Sequence, residues 1–392
     1  MRSIEDIEVG GKTVLVRVDF NVPVDAQQRI TDDNRIRATL PTIQALVDKG
    51  AKVVLMSHMG KPKGKRVPEL SLAPAAQRLG ELLGQDVALA PDCIGDEVAP
   101  LVDGLAPGGV LLLENLRFHD GETTNDPEFS RELARWGEIY VDDAFGVAHR
   151  AHASVVGVTE HIDTCVAGLL LKKEVDYLGT ALDNPARPFV CIVGGAKVSS
   201  KLGILENLMG RVDRFIVGGA MANTFLKAQG YNVGASLVED DLLDTARDIM
   251  ERAKAAGVSF YLPVDGILGT GPQGKLASGV CPFQDIPDGE MVLDIGPATH
   301  TLFAEVLKDA KTVVWNGPMG AFENQAFSQG SVGLTHFVAG LEAMTIVGGG
   351  DTDALVHLCK MTHKFSFIST GGGSFLEFME GKKLPALQVL QG

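Results

Sequence analysis

One pattern recurs along the chain and restricts its fold more than any other feature. A short apolar, β-branched run ends in glycine or polar residues, and a helical pattern follows. Such runs lie at 13–18, 53–56, 110–113, 139–141, 189–193, 215–217, 312–315, 344–347 and 365–368. Amphipathic stretches at 72–83, 240–256 and 299–308 stand between some of them. Runs without polar alternation suit strands buried on both faces, and strands alternating with helices form βαβ units. The chain is therefore predicted to be α/β, with parallel sheets covered by helices on both sides. At 392 residues it is too long for one ordinary core, so two domains are expected.

In such sheets ligands bind just beyond the carboxyl ends of the strands, so the residues after each run carry the functional information. In the first half the runs lead into Arg17-Val18-Asp19-Phe20-Asn21, Ser57-His58-Met59-Gly60-Lys61, Glu114-Asn115-Leu116-Arg117-Phe118-His119 and the stretch 142–150. In the second half they lead into Gly194-Gly195-Ala196-Lys197, Gly218-Gly219, Asn316-Gly317-Pro318, Gly348-Gly349-Gly350-Asp351-Thr352 and Gly371-Gly372-Gly373. Arginine and histidine side chains grip a small, multiply charged anion. Glycines let backbone N–H groups approach phosphates and a flat base. One domain for an acidic metabolite and one for a nucleotide is the inference. A helical pattern over 167–181, followed by Asn184-Pro185-Ala186-Arg187-Pro188, marks the boundary between them.

Charge and cysteine content narrow the classes further. A net charge of −15 argues against general affinity for nucleic acid or anionic membranes, so any anion site must be a local cluster. The five cysteines are scattered and form no C-x-x-C pair, which suggests reduced thiols in a cytoplasmic protein and neither a disulfide framework nor a zinc site. No secretory signal or membrane-spanning stretch is expected.

Several motifs fail their context tests. Gly269-Thr270-Gly271-Pro272-Gln273-Gly274 matches G-x-G-x-x-G, but it contains proline and no strong helical pattern follows, so a surface turn is expected. Gly11-Lys12-Thr13 precedes a strand instead of following one, and is not a P-loop. His149, His152 and His161 lack a metal-binding frame, and neighbours such as Asp142 and Asp143 point to opposite faces of a strand. The stretch from Gly194 to Leu202 follows a strand and is expected to open a helix, which places Lys197 and Lys201 on one helix face. Taken alone, it fits a solvated basic face beside a tight turn equally well. Asp351, at a helix start beside glycines, suits either a cap or a Mg²⁺ ion carried on a nucleotide.

Eight segments, in order along the chain, resemble the phosphoglycerate kinase family. They are Val-Arg-Val-Asp-Phe-Asn-Val-Pro (16–23), Ser-His-Met-Gly-Lys-Pro (57–62), Glu-Asn-Leu-Arg-Phe (114–118) and Asp-Asp-Ala-Phe-Gly-Val-Ala-His-Arg-Ala-His (142–152). Gly-Gly-Ala-Lys-Val (194–198), Val-Trp-Asn-Gly-Pro-Met-Gly-Ala-Phe-Glu (314–323), Gly-Gly-Gly-Asp-Thr (348–352) and Ser-Thr-Gly-Gly-Gly-Ser (369–374) complete the set. The resemblance implies two doubly wound, Rossmann-like parallel-sheet domains joined by a hinge helix. Residues 1–166 plus a tail of about 375–392 would bind phosphoglycerate, 167–184 would form the hinge, and 185–374 would bind the nucleotide. It implies a cytoplasmic, monomeric, Mg²⁺-dependent kinase moving a phosphoryl group between 1,3-bisphosphoglycerate and ADP.

By the same resemblance Asp19, Asn21, Arg35, His58, Met59, Gly60, Lys61, Arg117 and Arg150 would hold the phosphoglycerate. Gly194, Gly195, Lys197, Lys201, Gly218, Gly219, Asn316, Pro318, Glu323, Gly349, Gly350, Asp351 and Thr352 would hold ADP or ATP, with Asp351 on Mg²⁺. Arg35, Lys197, Lys201, Gly371, Gly372 and Gly373 would act on the transferring group. One departure stands out: Lys61 and Met59 replace the arginine and leucine usual in the family's segment, and lysine keeps the charge without the planar fork. A Rossmann dehydrogenase lacks its fingerprint here. A scaffold that kept the fold and lost catalysis is the non-enzymatic alternative.

Overall fold

The computed structural model describes residues 1–391. The chain divides into two compact units, one formed by Met1–Asp176 with the segment from Lys383 onward, the other by Tyr177–Lys382.

The first unit is built on β1 (Thr13–Arg17), β2 (Lys52–Met56), β3 (Val87–Leu89), β4 (Val110–Leu112), β5 (Ile139–Asp142) and β6 (Cys165–Ala167). All pair in parallel, in the order β3-β4-β2-β1-β5-β6. Successive side chains of β1 feed different cores: Val14 and Val16 pack with Val53 and Leu55, whereas Leu15 packs with Val54 and Met56. That two-sided burial is why the sequence shows unbroken apolar runs. The strand order reverses at β1, where Arg17 is in register with Met56 of β2 and Asp142 of β5. A doubly wound sheet binds its ligand at such a point.

The second unit contains β7 (Phe189–Val193), β8 (Arg214–Val217), β9 (Ser259–Tyr261), β10 (Asp265–Gly269), β11 (Gly279–Pro282), β12 (Met291–Ile295), β13 (Thr312–Asn316), β14 (Met344–Val347) and β15 (Phe367–Ile368). Six of these form a parallel sheet, β15-β14-β13-β7-β8-β9, with its switch point between β7 and β13. The other three form an antiparallel sheet, β11-β10-β12, that the sequence reading did not anticipate. Its outer strand β11 is mostly exposed, so it lacks the apolar signature of the buried strands.

The expected amphipathic helices are Ala73–Leu83, Leu243–Ala255 and Pro297–Leu307, the middle one preceded by the single 3₁₀ turn Asp240–Leu242. Proline in the first turn starts the first and third, where its missing N–H costs nothing. The helix Leu169–Asp183 contains the point at which one unit gives way to the other. Residues 375–382 fall in the second unit and not in the tail: helix Gly373–Met379 lies beside helix Leu202–Leu208, and Asn207 Nδ2 donates to Met379 O at 2.8 Å.

Candidate functional site

In the first unit, Asp19 and Asn21 lie in the loop leaving β1, and Arg35 stands in the first turn of helix Asn34–Asp48. Arg35 Nη1 donates to Asp19 Oδ2 at 2.9 Å and to Asn21 O at 3.3 Å. Gly60 N–H donates to Asn21 Oδ1 at 2.9 Å, and Gly60 O accepts from Arg117 Nη1 at 2.8 Å. Gly60 thus ties the Asp19–Asn21–Arg35 group to Arg117.

Arg117 is only 6 % exposed, yet its Nε and Nη2 have no hydrogen-bond partner among the described residues. Burial, followed by the neighbouring Arg150 and Arg17 charges, brings its pKa down to about 10. A buried guanidinium with idle donors calls for an anion to complete it. Arg117 lines a cavity of about 220 Å³ with Lys61, Lys63, Arg150, His119 and His152. Lys61, Arg117 and Arg150 are therefore gathered at one cavity, which Arg35, Asp19 and Asn21 do not line.

His58 is 3 % exposed and sits 3.1 Å from Arg17 Nη2 through Nδ1. Met59 differs from expectation: its side chain is buried in the apolar core, and its backbone is clamped by Asn115. The expected opposition of Asp142 and Asp143 does not arise within one strand, because β5 ends at Asp142.

In the second unit two adjoining cavities share Gly195, Ala196 and Asp351. The larger, about 470 Å³, is walled by Gly194, Gly195, Gly349, Gly350, Gly372 and Gly373, with Lys197, Lys201, Asn316, Asp351 and Thr352. It opens where β7 and β13 end side by side, at the switch point: Val193 pairs with Asn316, and Gly194 N–H donates to Asn316 O at 2.8 Å. Gly349 has φ +97°, and a Cβ there would lie 2.4 Å from Asn316 Nδ2, so only glycine lets this loop stand as it does. Asn316 Nδ2 donates to Gly348 O at 2.6 Å, leaving its buried Oδ1 without a partner among the described residues. Thr352 Oγ1 is set by Gly317 N–H, which donates to it at 2.7 Å.

The smaller cavity, about 290 Å³, holds Gly219, Pro318 and Glu323 among apolar walls that include Leu237, Phe283, Val292 and Met319. Its mostly apolar lining suits a flat heterocycle, and its glycine- and lysine-lined neighbour suits a charged tail. Strand β12, which the sequence pattern does not mark, and Pro272, in the glycine motif read as a turn, supply part of this wall. The Gly269–Gly274 motif is the expected turn, pinned by Asn324 Nδ2 donating to Pro272 O at 2.8 Å and to Gly274 O at 2.7 Å.

Three expectations need correction. Lys197 and Lys201 do not share a helix face, because the helix begins only at Leu202 and both lysines stand in the loop before it. They line the same cavity nonetheless. Gly218 lines neither cavity; a Cβ there would meet Met319 Sδ at 2.3 Å, so its smallness serves packing. Gly371 lines neither, and its N–H donates to Ser369 Oγ at 3.1 Å. The Lys201 ammonium is half-buried; burial lowers its pKa, opposed by the nearby Asp351 and Glu380 charges.

Sequence reasoning missed the buried charges Arg17 and Glu122. The available signal was an arginine inside an apolar strand run, which must find a partner in the interior. The residues Asp92, Cys93 and His119 also come together. That group is closed on itself: His119 Nε2 bonds Asp92 Oδ1 at 2.7 Å, and burial keeps the Cys93 thiol protonated. Among the described residues no helix is long and apolar enough to cross a membrane.

The sequence model of a family described as phosphoglycerate kinase matches residues 4–382. A phosphoglycerate kinase of Maridesulfovibrio salexigens is 57 % identical over 396 residues, covering 100 % of this chain and 99 % of that protein. One of Aquifex aeolicus is 53 % identical over 386 residues, covering 98 % and 97 %. The solved phosphoglycerate kinase of Coxiella burnetii superposes with a TM-score of 0.90 at 44 % identity, covering 99 % of this chain and 98 % of that one. The structure of phosphoglycerate kinase from Pyrococcus horikoshii gives 0.86 at 32 % identity, covering 100 % and 98 %.

Proposed function

The chain belongs to the phosphoglycerate kinase family, and we propose on that premise that it transfers a phosphoryl group reversibly between 1,3-bisphosphoglycerate and ADP, giving 3-phosphoglycerate and ATP. The observation that carries this reading is the pairing, in one chain, of a cavity holding the incompletely bonded Arg117 with a glycine-walled cavity at the switch point of a second sheet.

Lys61, Arg117 and Arg150 bind the charged ends of the phosphoglycerate, with Arg35, Asp19, Asn21, His58 and the Gly60 backbone completing the site. Gly194, Gly195, Lys197, Lys201, Asn316, Gly349, Gly350, Asp351 and Thr352 cradle the nucleotide phosphates. Gly219, Pro318 and Glu323 belong to the base and ribose end.

An acyl phosphate already carries a good leaving group. A β-phosphate oxygen of ADP attacks the transferring phosphorus, the phosphorus–acyl oxygen bond breaks, and its electrons stay on the carboxylate. No covalent intermediate or general base is required, so the protein's work is in-line positioning and neutralisation of charge on the equatorial oxygens. Lys201 and Arg35 take that role, with N–H groups of Gly372 and Gly373 as further donors. Asp351 would hold Mg²⁺, and the buried, unpartnered Asn316 Oδ1 adds a second hard oxygen to the same cavity, a donor set that fits this ion. Bound with the nucleotide, Mg²⁺ supplies countercharge to the phosphate oxygens. Each substrate is held by a different unit, and the reacting groups must meet with water excluded, since water would otherwise hydrolyse the acyl phosphate.

The working form in this reading is a cytoplasmic monomer, in keeping with five free cysteines. Of the basic residues assigned to the site only Lys61 departs from the family's pattern, and it keeps its charge, so nothing favours a scaffold that has lost catalysis. The test is a coupled assay of ATP- and Mg²⁺-dependent phosphorylation of 3-phosphoglycerate, with Lys201→Ala alongside. Loss of one transition-state donor is expected to lower turnover about 10²–10³-fold. A well-folded wild type without activity would defeat the reading, and near-normal turnover of the variant would defeat the role of Lys201.

A further inference from the structure

Arg17 has no place among the ligand contacts assigned above, yet it is 0 % exposed and bonded on three sides. Its Nε donates to Ser154 Oγ at 2.8 Å, Nη1 donates to Val18 O, and Nη2 meets His58 Nδ1 at 3.1 Å. We infer that Arg17, backed by Ser154 and Glu122, is a positioning residue that locks His58 as the neutral Nε2–H tautomer. His58 then meets the phosphoglycerate as a hydrogen-bond donor and not as an imidazolium. The second half of this inference rests on the proposed function; the first does not.

The direction of each bond follows from what the groups can do. A guanidinium has five N–H donors, no acceptor, and does not lose its proton in a protein. A contact of 3.1 Å from Arg17 Nη2 therefore requires a lone pair on His58 Nδ1. The ring proton must then sit on Nε2, which has no hydrogen-bond partner among the described residues. Protonating Nδ1 would set two N–H groups against each other and a second positive charge against Arg17.

Behind Arg17 the proton order is equally determined. Ser154 N–H donates to Glu122 Oε2 at 3.0 Å, and Ser154 Oγ donates its one proton to Glu122 Oε1 at 2.7 Å. The same hydroxyl oxygen accepts from Arg17 Nε. Glu122 is 0 % exposed. Burial works against its charge, but the His152 contact, the Arg17 charge and the Ser154 bonds outweigh burial and hold the carboxyl below its usual range. Glu122 is thus the countercharge that fixes Arg17 in the interior.

The other charged groups near His58 point the same way. Burial depresses the His58 pKa well below normal, and Arg17, Arg117, Arg150 and Arg35 each push it further. Asp19 is the acid that faces the ring, but its Oδ1 lies 3.9 Å from Nδ1, beyond hydrogen-bond reach. That oxygen accepts from Asn21 N–H at 3.3 Å, and Oδ2 is committed to Arg35. A neutral donor suits a site already crowded with cations, since it adds a directed bond to an anion without further repulsion.

The test is ¹⁵N NMR of the histidine-labelled full chain, with His58 assigned by loss of its signals in His58→Asn. The expected wild-type spectrum shows an unprotonated Nδ1 and a protonated Nε2 at neutral pH and still at the pH where an ordinary histidine is half protonated. An Nδ1–H or imidazolium signature at neutral pH would overturn the lock. Adding 3-phosphoglycerate should move the Nε2 signal. A correct tautomer that ignores 3-phosphoglycerate would instead refute the ligand role of His58 and leave the lock standing. Ser154→Ala, which cuts the link without removing a charge, should populate both tautomers and raise KM for 3-phosphoglycerate about three- to tenfold. KM for ATP should stay unchanged; a matching rise there, with His58 still in one tautomer, would mean a merely structural role.

Discussion

Asp143→Asn should stabilise the first unit and flatten its pH dependence. Asp143 is 0 % exposed, and its Oδ1 accepts from Leu170 N–H at 2.9 Å and Leu171 N–H at 3.1 Å, at the start of helix Leu169–Asp183. Its Oδ2 has no partner among the described residues. Burial raises the pKa to about 8, against the nearby Thr42 hydroxyl and the two leucine N–H groups, which lower it. The folded state therefore keeps its proton up to about pH 8, whereas the unfolded chain loses it near pH 4. Between those values the native state binds the extra proton, so stability falls as pH rises, by at most ~1.4 kcal/mol per unit. At neutral pH the accumulated cost is on the order of 2–4 kcal/mol. Asparagine mimics the protonated acid, keeps the oxygen for both N–H groups, and places its NH₂ where Oδ2 has no donor to lose.

The chain has two tryptophans, Trp136 in the first unit and Trp315 in the second. In a Trp315→Phe background, Trp136 fluorescence reports urea unfolding of the first unit alone. The gain from Asp143→Asn should be a few kcal/mol at about pH 8 and should shrink toward pH 5. Parallel pH profiles for the two proteins, or a variant less stable at both pH values, would refute the assignment of a buried, protonated Asp143.

Two further substitutions address the ligand cavities. Gly349→Ala combines a strained φ of +97° with a clash against Asn316 Nδ2 and should raise KM for ATP at least about tenfold, with KM for 3-phosphoglycerate unchanged; steady-state kinetics in both substrates will check it. Lys61→Arg restores a planar fork at the basic cavity and should tighten 3-phosphoglycerate about two- to tenfold, measured by calorimetry, whereas no change would place position 61 at the periphery.

Much of the candidate site was legible because a doubly wound sheet puts ligands after strand ends, and those strands announce themselves by burial on both faces. Strands β7 and β13 are buried at every residue, and both read as unbroken apolar runs. Strands β3, β9 and β11 are short and partly exposed, and they were invisible for that reason. With β10–β12 went the wall that β12 lends to the apolar cavity. Lys197 and Lys201 illustrate the limit of periodicity: spacing of four suggests a shared helix face only if the helix has begun, and here it starts at Leu202.

From the sequence alone, the pattern of runs and glycines determined the α/β class, and the eight ordered segments pointed to the family. Those are local properties, set by propensity, burial pattern and neighbouring residues. Only the tertiary structure decided which groups lose water and which partners replace it. Ser154 reaches Arg17 across 137 residues, Met59 turns into the core while its neighbour His58 turns to Arg17, and Asp143 holds a proton near neutrality. Desolvation depends on everything packed around a group, most of it distant in sequence, so no window along the chain reveals it.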